Sequence, residues 1–149
     1  MDHDELMGER GWALASLRIV SDTLGAEAIS ELLGLRPTST RDSEGDPSFT
    51  VWMLEGGLEP SSPIEDHLYI LMERLADRMI ALAALVERAN VEIWLSYSPG
   101  SGSSRSAVFS HEVLAQIGAL GVDLVLDPYP PGRRHQSAVI NERTAEERT

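Results

Sequence analysis

Apolar and polar side chains alternate along WALASLRIV, residues 12–20. Ala15, Leu17 and Ile19 point one way and Ser16 and Arg18 the other, the two-residue period of a strand with one buried face. The same alternation returns in VEIWLSY, 91–97, with Val91, Ile93, Leu95 and Tyr97 opposite Glu92, Trp94 and Ser96. FTVWML, 49–54, is apolar in both phases, as an interior strand is, and VDLVLD, 122–127, reads as a last strand ended by PYPPG. Between these runs the period lengthens. Ile29, Leu32 and Leu33 recur at helical spacing ahead of a stop at Gly34 and Pro37. Ile64, Leu68, Leu71, Leu75, Met79, Leu82 and Val86 step by threes and fours. Helical through Ala89, that rod would be about 39 Å long at 1.5 Å per residue. Ser62 is its expected N-cap, with Pro63 at the first helical position and Glu65 closing a capping box. A third helix runs from a cap at Ser110 to a stop at Gly121 and carries Val113, Leu114, Ile117 and Leu120.

Two segments break the pattern. RPTSTRDSEGDPS, 36–48, is too rich in Pro, Gly, Ser and Asp to predict regular structure. SYSPGSGSSRSAVFS, 96–110, resembles a phosphate cradle at first sight, but a P-loop needs a following helix and a lysine, and the chain has no lysine. We read it as a mobile hairpin connection whose return is a short strand over Ala107–Phe109. Most strands offer one apolar face, so the expected fold is α+β. It is a two-layer sandwich in one domain, residues 12–129, with flexible arms at 1–11 and 130–149. One mixed or antiparallel sheet of four to five strands carries three helices on one face.

Composition narrows the chemistry. The chain has 149 residues, 42% hydrophobic and 24% charged, with no cysteine, and all 12 of its basic residues are arginine. Disulfides, thiol nucleophiles, cysteine-bound metals and Schiff bases are therefore excluded. The net charge of −12 argues against a nucleic-acid partner and favours encounter with a basic protein. No apolar run reaches the length of a membrane span, and the acidic MDHDELMGER lacks the marks of a secretory signal, so a cytoplasmic location is expected.

Candidate site residues are few. His3, His67, His111 and His135 show no ligand spacing, and no cofactor motif survives. His67 sits in the first turn of the long rod, either as part of a surface capping turn or as a general base. Turning each strand's apolar set toward the helices leaves Arg18, Glu92, Trp94, Asp123, Val125 and Asp127 on the other face. Trp52 joins them if Phe49, Val51 and Met53 face the helices. An aromatic patch ringed by charge is the make-up of a contact surface, unless the 36–48 loop or the C-terminal tail covers it.

SLRI, ISELLGLRPT, EGDP, VWML with Trp52, SPIEDHLYILMERL with His67, and LDPY ending at Tyr129 follow one another in an order that resembles a bacterial family known as domain of unknown function four-two-seven-nine, over about residues 14–129. The long glycine–serine loop and the tail depart from it. The resemblance implies a small cytosolic protein, with an association to immunity proteins that neutralise toxins. The leading expectation is thus a non-enzymatic acidic binder, immunity-like, docking a basic toxin domain through the sheet face. The alternative is a small-ligand binder or enzyme using a cleft near His67, Trp52 and Tyr129. The contact residues singled out are Arg18, Trp52, His67, Trp94, Asp127 and Tyr129. No cofactor, nucleic acid or membrane enters, and the chain is a monomer or a homodimer whose face is its own interface.

Overall fold

The 12–20 alternation becomes the middle strand of a five-stranded mixed sheet, β1 (Trp12–Ser21). The computed structural model describes residues 11–45, 47–100 and 106–130; the expected arms, apart from Gly11 and Pro130, and the heart of the glycine–serine loop lie outside these residues. β1 pairs antiparallel with β3 (Phe49–Glu55) on one side and β4 (Asn90–Ser98) on the other. β2 (Ser39–Ser43) joins β3 antiparallel, and β5 (Asp123–Pro128) runs parallel to β4, giving the order β2-β3-β1-β4-β5. The class is α+β, as the pattern predicts.

Register decides the core. Leu17 lies between Leu54 and Ile93, and Ile19 lies between Trp52 and Val91, so all six share a face. They cluster with Ile29 and Leu33 of α1 (Ala26–Leu33), and with Leu68, Leu71 and Leu75 of α2 (Ile64–Leu75). Leu82 and Leu85 of α3 (Met79–Val86), and Val113, Ile117 and Leu120 of α4 (His111–Leu120), complete the cluster. Burying a Leu- or Ile-sized side chain contributes about 1.5–3 kcal/mol, so this set dominates the stability.

Four local expectations need correction. The long rod is not one helix: a 3₁₀ turn over Ala76–Arg78 separates α2 from α3, with Leu75 and Arg78 at ψ −5° and 11°, and α3 ends at Val86. The turn shifts the helical phase, so Leu85 is fully buried where an unbroken helix would seat Val86. The Ser62 capping box does not form. Pro63 itself takes the cap position, extended at φ −54°, ψ 145°, and its carbonyl accepts from Asp66 N at 3.1 Å with no side-chain cap.

The 36–48 segment contains β2, a strand without apolar residues; at a sheet edge, backbone pairing to β3 suffices and no buried phase is needed. Finally, 106–110 form no strand. β1 and β5 already flank β4, and the chain passes from β4 through α4 to a parallel β5, so no hairpin partner follows β4 among the described residues. Ser110 does cap α4, its Oγ accepting from Val113 N at 3.2 Å, and Gly121 ends the helix in the left-handed region at φ 74°.

Candidate interaction face

Opposite the core, alternation turns a second set of side chains outward. Arg18 lies between Met53 and Glu92 in register, and Trp94 between Ser16 and Val125. Ser16 beside Trp94 leaves room for the indole to lean along the strand. The Arg18 guanidinium carbon stands 5.1 Å from the centre of the Trp94 ring, within range of a cation–π contact. Trp94 Nε1 donates a long hydrogen bond, 3.4 Å, to Glu92 Oε1. Arg18, Glu92 and Trp94 are all half-buried.

A second cluster closes the lower end of this face. Asp127 Oδ2 accepts from Ser96 Oγ at 3.2 Å and from Tyr129 OH at 3.1 Å. The Tyr129 ring lies 5.2 Å from that of Trp12, tilted by 42°, and Ser98 Oγ donates to Pro130 O at 3.2 Å. The face thus holds Arg18, Trp94, Asp127 and Tyr129 together. Trp12 was not singled out from the sequence, yet it shares the even phase of Ser16 and Arg18, so the signal was present in WALASLRIV.

Trp52 and His67 lie elsewhere. Trp52 is fully buried on the helix face, its Nε1 donating to Ser30 Oγ of α1 at 3.0 Å. It therefore does not join the outward patch: Phe49, Val51 and Met53 take that phase, because Trp52 and Leu54 register with the core residues Ile19 and Leu17 of β1. His67 is no surface capping residue either. It is 2% exposed, and its Nε2 has no hydrogen-bond partner. Burial pushes its pKa below the ordinary value, while the backbone of Ser62, the Asp66 carboxylate and the backbone of Glu59 pull the other way.

Trp52 and Tyr129 also lie far apart. Trp52 registers with Ile19, whereas Tyr129 stacks on Trp12, seven residues along β1 and about 23 Å away at strand rise. A cleft of about 230 Å³ lies between Ser61–Glu65 and Trp12, Ser98 and Ser106. Another, of about 270 Å³, lies between Ser21–Gly25 and Ser48–Thr50, with Asp42 and Ser43 on its rim. His67, Trp52 and Tyr129 line neither of these two. Among the described residues, no three His, Asp or Glu side chains gather as a metal site requires, and no helix is long and apolar enough to cross a membrane.

A five-stranded mixed sheet with helices on its apolar phase, and an Arg–Trp pair with a carboxylate–tyrosine cluster on its polar phase, defines a small α+β domain. The chain belongs to the family described as Domain of unknown function (DUF4279), whose model matches residues 10–131. No curated protein and no solved structure matches it.

Proposed function

We propose that the chain is a non-enzymatic binding protein that docks a basic protein partner through the sheet face carrying Arg18 and Trp94. The observation that supports this reading best is the Arg18–Trp94 pair at 5.1 Å, set on the side of the sheet that contributes nothing to the helix core. Arginine and tryptophan are the residue types that anchor interfaces. Glu92, Asp123 and Asp127 share the face, and the net charge of −12 would speed encounter with a cationic partner. In its immunity-like form, the partner is a basic toxin domain neutralised in the bacterial cytoplasm.

The test is a pull-down from the native host with wild type and with Trp94→Ser, followed by titration of the purified partner against both. Loss of affinity in the variant with the melting temperature lowered by no more than a few degrees is expected. Equal affinity, or a captured partner that is acidic, overturns the reading. Light scattering on the isolated chain adds a second arm: a dimer that Trp94→Ser dissociates would assign the face to a second copy instead.

A further inference from the structure

The sheet ends differently at its two edges. β2 closes one side with Ser39, Thr40, Arg41, Asp42 and Ser43, none of them apolar. β5 closes the other with Asp123, Leu124, Val125, Leu126 and Asp127 before Pro128, and among the described residues it pairs with β4 alone. Every second peptide group of such a strand points away from its neighbour, which leaves donors and acceptors in place for one more strand. Leu126 is 51% exposed. Because β4 and β5 are parallel, α4 between them runs the opposite way, and its first turn lies where β5 finishes. That topology brings the exposed Val108 and Leu114 to the same end as Leu126.

Charge selects the occupant. Asp123, Val125 and Asp127 share one face of β5, with an acid on either side of the valine. A second copy laid antiparallel, Val125 against Val125, would set Asp123 opposite Asp127 twice, and like charges directly opposite are destabilising. The same carboxylates attract a strand with arginine or lysine at those positions. On the other face, Leu124 and Leu126 call for aliphatic neighbours.

We propose that the outer edge of β5 takes up an extended segment of the partner protein, about as long as β5 itself, in which arginine or lysine alternates with aliphatic residues. This rests on the reading of the chain as a binder of a basic partner and names the element of that partner that docks.

The experiment titrates the full chain with a blocked peptide of alternating arginine and valine, while amide exchange of residues 123–127 is followed by NMR. Two N-methylated versions are run beside it, one methylated at the arginines and one at the valines, with side chains and charge unchanged. Strand addition uses only one set of peptide amides, so one version should lose about tenfold or more in affinity while the other keeps it. The outward amides of β5 should slow, and Asp123→Arg should weaken binding.

Equal behaviour of the two methylated peptides would mean attraction by charge alone and would overturn the proposal. So would outward amides of β5 already protected in the free chain, which would place its own tail or a second copy on the edge. The edge and the face remain separable. A basic partner lost with Trp94→Ser but held by Asp123→Arg leaves the face and removes the edge. Asymmetric peptide binding with a partner indifferent to Trp94→Ser does the reverse.

Discussion

Two tryptophans, Trp52 and Trp94, sit on neighbouring strands of β1 and face opposite ways. Trp52 is sealed under α1 with its N–H on a serine hydroxyl. Trp94 is half-buried, with an arginine over its ring and a glutamate at its N–H. The same side chain serves as core filling in one place and as part of a charged surface in the other. What separates them is phase. A one-residue shift along a strand exchanges the two faces, and only pairing with β1 fixes which phase of FTVWML meets the helices.

The sharpest way to break the comparison is to remove each indole. Trp52→Ala should cost about 3–5 kcal/mol, the range for large-to-small changes in a packed core. It should leave the chain unfolded or with a much lowered melting temperature by circular dichroism. Trp52→Phe keeps most of the volume but strips Ser30 Oγ of its donor, and a loss of about 1–2 kcal/mol in urea unfolding is expected. Near-wild-type stability for Trp52→Ala would mean that the helix face is not the core.

That phase ambiguity marks where the sequence was legible and where it was not. β1, β4, β5 and the capped ends of α1 and α4 follow directly from period and from Gly34, Ser110 and Gly121. β2 was hidden because STRDS owes its strand to a neighbour rather than to any pattern of its own. The 3₁₀ turn was hidden because the apolar repeat of 64–86 runs through it without interruption. Of the residues chosen for a site, Arg18, Trp94, Asp127 and Tyr129 do share a face, since alternation alone places the first three. Trp52 escaped because both of its phases are apolar. His67 escaped because its burial depends on the chain leading into α2, with Gly56 packed against the α2 backbone at His67 and Leu71.

His67 sharpens the contrast from the helix side. The outward face tolerates Arg18, Glu92 and Asp127 half-buried, whereas α2 holds the imidazole of His67 buried. Unfolded, this histidine takes up a proton near pH 6.5; folded, burial delays that uptake to lower pH. The unfolded state therefore binds more protons in that window. Stability is full above about pH 6.5 and declines as pH falls toward the folded value, with a slope of at most about 1.4 kcal/mol per pH unit from this group. Urea midpoints measured between pH 7.5 and pH 5.5 should fall for wild type and stay flatter for His67→Gln. Parallel curves for the two proteins would show that His67 is not held neutral by the fold.

The smallest expected effect lies on the outward face. Arg18→Ala and Trp94→Ala should each shift stability by about 1 kcal/mol or less, because neither side chain leaves a deep cavity. In a double-mutant cycle the pair should couple by about 0.5–1 kcal/mol, the range for a cation–π contact that water still reaches. Added salt should reduce that coupling only modestly at 5.1 Å, well inside the screening length. A coupling above about 2 kcal/mol would instead indicate a desolvated pair. The distinction between a sealed face and a wet one would then fail, and docking there would have to displace whatever already excludes the water.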